Sequence, residues 1–147
     1  MEEIKIIPFE LCHISQMAEI EKECFSTPFG KEDFEKLYES GISNALVVLT
    51  GDRVIGHVSF TVIIDECQII NVCVSSRYRK MGVGSRLMDA FLEHLRKRDV
   101  KKIFLEVRES NSPAINLYKK YGFFSVGVSK NHFSLPTENA ILMNFEF

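Results

Sequence analysis

The segment YRKMGVGSRL, residues 78–87, combines two closely spaced glycines with a run of cations. Gly82 and Gly84 have no Cβ atom, so the backbone amides beside them can approach a ligand closely. A predicted helix begins here, and the free N–H groups of a helix N-terminus attract anions. Arg79 and Lys80 add positive charge, and the segment contains no acidic residue. This composition predicts a site for a polyanion of the pyrophosphate kind, with a solvated basic loop as the alternative.

Two common phosphate-binding loops do not fit this segment. A Walker A loop requires the pattern GxxxxGK[ST], which does not occur in the sequence. A dinucleotide fingerprint requires a third glycine at position 87, where this chain has leucine, and it opens the first βαβ unit of a fold. Any phosphate site here therefore belongs to another class.

The hydrophobic pattern predicts the elements that must position this segment. Strands are predicted at residues 4–7, in three consecutive runs within 45–74, and at 102–107, 123–128 and 140–145; helices are predicted at 11–25, 31–39 and 84–98, and from Asn111 or Ser112 to Gly122. Residues 68–74 are apolar on both faces, which predicts a central strand. Together they indicate one mixed α/β domain, residues 1–147, with helices on both faces of a sheet.

Alternation along the second of the three consecutive strands predicts its two faces. One face is expected to carry Val54, Val58, Phe60 and Val62, and the other His57, Ser59 and Thr61. His57 is a candidate base on the polar face, although an incidental surface histidine is the expected role. In the helix at 31–39, spacing places Phe34, Leu37 and Tyr38 inward.

The overall composition bears on which classes of partner the protein can have. The 147 residues carry a net charge of −2, which indicates no nucleic-acid partner, and no apolar run is long enough to cross a membrane. The N-terminal residues lack a leader pattern, so a cytoplasmic location is expected. Cys12, Cys24, Cys67 and Cys73 have no zinc-binding spacing, so we expect reduced core cysteines and no metal site.

Several motifs together resemble the GNAT superfamily of N-acetyltransferases. They are R-x-x-G-x-G at 79–84 after the strand INVCV, then LEVRESN at 105–111, LYKKYGF at 117–123 and NAILM at 139–143. Within the superfamily, the chain resembles the ribosomal-protein alanine N-acetyltransferases, closely over residues 69–124. The resemblance implies a mixed, mostly antiparallel sheet of six to seven strands flanked by about four helices.

The resemblance also implies direct acetyl transfer from acetyl-CoA to a primary amine, with release of coenzyme A. It assigns Glu106 as the general base and Tyr118 as the general acid for the departing thiolate. It assigns the cofactor to a set of residues at the central strand, the glycine loop and the next helix: Val72, Cys73, Val74, Arg79, Lys80, Met81, Gly82, Val83, Gly84, Ser85 and Asn111.

The residues around the two catalytic candidates leave alternatives open. Alternation places Glu106 opposite three apolar neighbours and beside Phe104 and Arg108; apolar surroundings would raise its pKa, as suits a base. A surface pair between Glu106 and Arg108 is the other interpretation. Tyr118 lies at helical spacing with other apolar residues, so it could serve packing alone, and Tyr121 is the nearest alternative acid.

The acceptor side departs from the family pattern. Pro28-Phe29-Gly30 replaces P-W-S, and His132 and Phe133 stand where paired tyrosines are common, which makes Phe29, His132 and Phe133 the candidate substrate-binding residues. A protein or peptide N-terminus, including that of a ribosomal protein, is the expected acceptor. A small-molecule amine, a lysine side chain, a non-catalytic acyl-CoA-binding module and a nucleotide-binding regulator are the alternatives. The protein is expected to be a monomer or a homodimer.

Overall fold

The computed structural model describes residues 3–147 and contains one seven-stranded sheet. The strands are β1 (Ile4–Pro8), β2 (Ser43–Thr50), β3 (Arg53–Ile63), β4 (Glu66–Val74), β5 (Lys102–Arg108), β6 (Phe124–Phe133) and β7 (Glu138–Glu146). The helices are α1 (Ile14–Cys24), α2 (Lys31–Glu39), α3 (Val83–Arg96) and α4 (Ser112–Lys120). No helix among residues 3–147 has the length and apolar character needed to cross a bilayer.

The strand order is β1-β2-β3-β4-β5-β7-β6. All neighbouring strands are antiparallel except β4 and β5, which are parallel. The expected mixed, mostly antiparallel sheet is therefore confirmed, and β4 lies at its centre, as its apolar faces predict. Strands β4 and β5 are joined through α3, which is the crossover that a parallel pair requires.

Each face of the sheet has its own hydrophobic core. Helices α1 and α2 cover one face, where Met17 and Phe34 are fully buried. Helices α3 and α4 cover the other face, where Phe60 and Phe91 stack edge to face with ring centroids 5.0 Å apart. The predicted apolar stripe of α3 is buried, as the spacing of its members requires: Leu87, Met88, Phe91, Leu92 and Leu95.

Element ends differ from the predictions by a few residues. The predicted helix at 11–25 begins with a single 3₁₀ turn, Leu11–His13, before α1. Helix α3 begins one residue earlier than predicted and ends two residues earlier, and β6 continues to Phe133. Asn111, and not Ser112, is the N-cap of α4, since its side chain accepts a hydrogen bond from the Ala114 amide.

Two side chains do not face as predicted. The pairing of β2 with β3 shifts between Val48 and Leu49, so that one residue of β3 is skipped. Because such a bulge reverses the alternation beyond it, Val54 packs with α1 and α2, on the face opposite to Val58 and Phe60. Tyr38 was predicted to point inward, but it is 40% exposed at the end of α2.

The predicted polar face of β3 is covered by α1. His57 and Ser59 are fully buried, so the expectation of a surface histidine is wrong. His57 Nε2 lies 3.3 Å from Glu21 Oε1, and within residues 3–147 neither ring nitrogen has a hydrogen bond of good geometry. Glu21 accepts hydrogen bonds from Asn71 Nδ2 at 3.2 Å and from the Phe29 amide at 3.3 Å. Burial raises the pKa of Glu21 to about 7 and lowers that of His57 to about 3.

These two buried groups are expected to give folding stability opposite dependences on pH. Native Glu21 holds a proton that the unfolded chain releases, so its contribution falls as the pH rises from 4.5 through about 7. Native His57 lacks a proton that the unfolded chain binds, so its contribution falls as the pH decreases from 6.5 toward 3.

Single substitutions should separate the two slopes. The free energy of unfolding of Glu21→Gln should rise between pH 5 and pH 7, and that of His57→Phe should fall, each by about 2 kcal/mol at most. The parent protein should vary less than either variant. Urea unfolding across this pH range measures the slopes, and three parallel profiles would show that neither group titrates as burial predicts.

Candidate active site

A cleft opens in the sheet where β4 and β5 separate. The two strands pair only between residues 66–68 and 102–104, and beyond these residues their facing edges diverge. Since parallel neighbours otherwise bond along their length, the divergence leaves main-chain groups of the second half of β4 facing the gap. The cleft has a volume of about 360 Å³. Its walls come from β4, β5, α4, the end of α1, and the segments 25–27 and 132–134.

The glycine loop and the first turn of α3 form a cationic surface. Gly82 is the N-cap of α3 and has φ = 80°, a left-handed conformation that glycine adopts without strain. Within the described chain, a Cβ atom added to Gly82 would meet nothing within 4 Å, so the backbone here is open to a ligand. Arg86 makes the first main-chain bond of the helix, to the Gly82 carbonyl, which leaves the preceding amides free. The loop therefore fits an anionic group, as the sequence predicts.

The fold adds one acid that the local sequence does not show. Glu23 of α1 accepts hydrogen bonds from the Ser76 hydroxyl at 2.6 Å and the Ser76 amide at 3.0 Å. These two hydrogen bonds are the main reason that the pKa of Glu23 is lowered, and the positive charges of Arg79 and Arg77 lower it further. Arg79 itself bends back, and its Nε donates to the Val74 carbonyl at 3.2 Å. The loop is thus anchored to both α1 and β4 at its N-terminal end.

The other predicted cofactor residues divide into two groups. Val72 lines the cleft, whereas the Cys73 side chain points to the opposite core and donates to the Ile20 carbonyl at 3.2 Å. Only the main chain of Cys73 can therefore face a ligand in the gap. Asn111 lines the cleft; its Oδ1 caps α4, and its Nδ2 has no hydrogen bond within residues 3–147. Lys80 and Met81 are exposed on the loop.

Glu106 lies on the cleft wall, in surroundings that differ from those predicted. Its carboxylate is 37% exposed and faces polar groups, with Gln68 Nε2 at 3.4 Å and His132 Nε2 at 3.9 Å. The expected apolar environment is wrong because β4 and β6 contribute these polar side chains. The alternative of a pair with Arg108 is also wrong, since Arg108 forms its ion pair with Glu138.

Tyr118 and Tyr121 differ in the hydrogen bonds of their hydroxyl groups. Tyr118 lines the cleft and is 6% exposed, and its hydroxyl has no hydrogen-bond partner among residues 3–147. Burial raises its pKa, so the phenol keeps its proton at neutral pH. The Tyr121 hydroxyl instead donates to the Ser85 carbonyl at 2.8 Å. Tyr118 is therefore the phenol available to a ligand, and Tyr121 joins α4 to α3.

Arg108 connects the two loops that border the cleft, a role that the sequence did not suggest. Its Nη2 donates to the Ser134 carbonyl at 2.7 Å and to Ser26 Oγ at 3.2 Å. Its Nη1 donates to the Pro136 carbonyl and to Glu138 Oε1, and its guanidinium stacks on the Phe133 ring, 4.7 Å from the centroid. Because guanidinium has five fixed donors, one side chain holds both loops in register.

Replacement of Arg108 by Lys should raise the KM for the expected peptide acceptor about tenfold, because an ammonium group cannot bridge both loops. The affinity for the expected cofactor, coenzyme A, should stay within about twofold of the parent value, since Arg108 forms no hydrogen bond with the glycine loop. Arg96→Lys is the matched control, as Arg96 forms an exposed pair with Glu93. Steady-state kinetics and calorimetry measure both effects; an unchanged peptide KM would contradict this role.

The predicted substrate-binding residues are not all at the cleft. His132 and Phe133 line it, and His132 Nδ1 lies 3.3 Å from Ser129 Oγ. Phe29 instead packs inward against Phe34, with ring centroids 5.5 Å apart. Phe25 and Thr27 provide the wall from this segment. Phe29 was chosen from a motif position, and its packing on α2 depends on a contact that the motif does not encode.

Comparisons with known proteins find relatives in both sequence and fold. The profile of the acetyltransferase (GNAT) family matches residues 14–123. The ribosomal protein bS18-alanine N-acetyltransferase of Haemophilus influenzae is 29% identical over 141 residues, which cover 94% of this chain and 95% of that protein. The structure is similar to that of the ribosomal-protein-S18-alanine N-acetyltransferase of Escherichia coli, with a TM-score of 0.91, 25% identity, and coverage of 98% and 94%. It is also similar to Ard1 of Thermoplasma volcanium, with a TM-score of 0.89, 29% identity and 97% coverage of both chains.

Proposed function

The chain belongs to the acetyltransferase (GNAT) family and is an N-acetyltransferase that uses acetyl-CoA, and we propose that its acceptor is the N-terminal amine of a protein. The observation that carries the proposal is the cleft between β4 and β5, which is bordered by the accessible carboxylate of Glu106 and by the phenol of Tyr118, which has no hydrogen-bond partner in the described part of the chain. The loops around residues 25–27 and 132–134 leave this carboxylate open to a polypeptide end.

The residues present fit the donor. Bound acetyl-CoA supplies an acetyl group activated as a thioester. The free amides after Gly82, with Arg79 and Lys80, would hold its diphosphate, because they combine main-chain donors with positive charge. Main-chain groups of residues 72–74 would hold the extended arm along the open edge of β4.

The chain's own residues move the two protons that the transfer requires. Glu106 Oε2 accepts a proton from the incoming ammonium, directly or through a water, and Gln68 Nε2 positions the carboxylate by donating to Oε1 at 3.4 Å. The Tyr118 hydroxyl, which burial keeps protonated at neutral pH, donates a proton to the departing sulfur. Val72, Leu105 and Leu117 line the space between these groups and limit the access of water.

The relatives and the residues that line the cleft support the proposed acceptor class. The Haemophilus influenzae relative covers nearly the full chain and is named for the alanine of ribosomal protein bS18. We propose the same acceptor class here, and with it a cytoplasmic location. The Glu106 carboxylate on the cleft wall suits an ammonium group, and His132 on the same wall can hydrogen-bond a peptide main chain.

A peptide panel tests this proposal. Acetyl transfer should be fastest to peptides beginning with alanine in the context of bS18, and slow to spermidine and to free lysine. The same peptides with a blocked N-terminus and an internal lysine are the control for side-chain acetylation. Faster turnover of spermidine or of the blocked peptide would contradict the proposal, and so would coenzyme A binding without turnover of any amine.

Gly84→Asp should weaken acetyl-CoA binding by about tenfold or more, because a carboxylate would face the diphosphate in a loop built for anions. The fold should persist, since the added Cβ would meet Leu117 Cδ2 at 3.4 Å, an ordinary contact. Gly41→Asp is the matched control, because an added Cβ there meets nothing within 4 Å in the described chain. Calorimetry measures the affinity, and parental affinity in folded Gly84→Asp would remove the diphosphate from this loop.

A further inference from the structure

The four cysteines occupy different environments, and one of them lies in the cleft. The expectation of four core cysteines is confirmed for Cys67 and Cys73, which are buried, and it is wrong for Cys12. Cys12 is exposed, and Cys24, the last residue of α1, is half-buried and lines the cleft. Among the described residues that line the cleft, Cys24 is the one thiol.

The surroundings of Cys24 favour its thiolate. Its Sγ accepts a hydrogen bond from Arg79 Nη2 at 3.5 Å, a contact that favours the thiolate. In the thiol form, Cys24 donates to the Val74 carbonyl oxygen at 3.7 Å. The neighbouring Cys73 thiol and the positive charge of Arg79, opposed by burial, lower the pKa of Cys24 to about 7. Glu21 is the nearby acid that opposes this effect, and burial keeps it largely protonated below pH 7. Glu23 is held by Ser76.

A second group in the same cleft points to a ligand close to this thiol. The Tyr118 phenol is more than nine-tenths buried, lines the cleft with Cys24, and has no hydrogen-bond partner among residues 3–147. Arg79 touches Cys24 and belongs to the loop proposed to hold the diphosphate of coenzyme A. A molecule anchored at that loop and extending toward Tyr118 therefore passes close to Cys24 Sγ.

We propose that Cys24 is a covalent modification site that reacts with the disulfide of coenzyme A bound in this cleft. The proposal rests on the proposed coenzyme A site but not on the acceptor. Cys24 Sγ attacks one sulfur of the disulfide, a new S–S bond joins Cys24 to one coenzyme A, and the second coenzyme A leaves as its thiolate. The exchange needs no other oxidant, and a thiol reductant reverses it. The adduct fills the donor cleft and blocks acetyl-CoA.

The reaction is detected by mass spectrometry of the intact protein and of its peptides. Coenzyme A disulfide should add one coenzyme A at Cys24 at least about tenfold faster than oxidised glutathione adds to Cys24, because binding raises the local concentration of the reagent. Excess acetyl-CoA should suppress the coenzyme A adduct. The two disulfides should react with exposed Cys12 at similar rates, and acetyl-CoA should not protect Cys12.

Two variants complete the test. Cys24→Ser should abolish the protected adduct, and Cys12→Ser should retain it. Labelling of Cys12 in preference to Cys24, or labelling of Cys24 that acetyl-CoA does not suppress, would overturn the proposal. If acetyl-CoA binds and peptides are turned over while Cys24 stays unmodified, this inference fails and the proposed function stands. If peptides are not turned over while Cys24 is still labelled and acetyl-CoA still protects it, the proposed function fails and this inference stands.

Discussion

Tyr118→Phe is expected to lower kcat by about two orders of magnitude, the usual contribution of a positioned general acid. The phenol lies in the cleft and keeps its proton because burial raises its pKa. Its hydroxyl donates no hydrogen bond to any group within residues 3–147. Stability should change little, since the removed hydroxyl makes no hydrogen bond there. Turnover at saturating substrate and thermal unfolding measure the two effects separately.

Tyr121→Phe is the matched control, three residues away on the same segment. It removes the hydrogen bond to the Ser85 carbonyl, so it should cost about 1 kcal/mol of stability while kcat remains near the parental value. Tyr118→Phe should therefore lower kcat and leave stability nearly unchanged, whereas Tyr121→Phe should lower stability and leave kcat nearly unchanged. Equal kcat values in both variants, or a larger loss in Tyr121→Phe, would remove Tyr118 from the reaction.

Glu106→Gln is the second substitution with a large expected effect, a loss of about a hundredfold in kcat/KM at pH 6 to 7. A peptide α-amine has a pKa near 7.7 to 8.0, so below this range a base must remove a proton before the amine can attack. Above it, most of the amine is already neutral. The deficit of the variant should therefore shrink as the pH rises toward 9.

Glu109→Gln provides the control for charge. Glu109 is exposed and follows the end of β5, three residues beyond Glu106. Its neutralisation should leave the pH–rate profile unchanged. If the profile of Glu106→Gln also overlays that of the parent, the base is another group, and His132, whose Nε2 lies 3.9 Å from Glu106, becomes the first alternative to test.

Local patterns in the sequence were sufficient for much of the fold. The apolar stripe of α3, the start of α4 at Asn111 or Ser112 and its end before Gly122 each depend on residues a few positions apart. The central position of β4 follows from apolar side chains on both of its faces. The family motifs then placed Glu106 and Tyr118 at one cleft, although the motifs alone could not choose between Tyr118 and Tyr121.

Contacts between distant segments explain what the sequence could not predict. His57 is buried because α1 packs over β3 and brings Glu21 to it across 36 positions. Cys24 and Arg79 are 55 positions apart and meet only where α1 ends beside β4. The loop-bridging role of Arg108 could not be predicted because two of its partners are backbone carbonyls, which every residue has and which leave no pattern in the sequence. Side-chain alternation also failed at Val54, where a bulge reverses it.

A crystal structure of the enzyme with acetyl-CoA tests the central claim most directly. The account predicts a diphosphate bound by main-chain amides between Gly82 and Arg86, with the sulfur lying between the Glu106 carboxylate and the Tyr118 hydroxyl. A diphosphate bound on another surface would contradict it, as would a sulfur out of reach of both side chains.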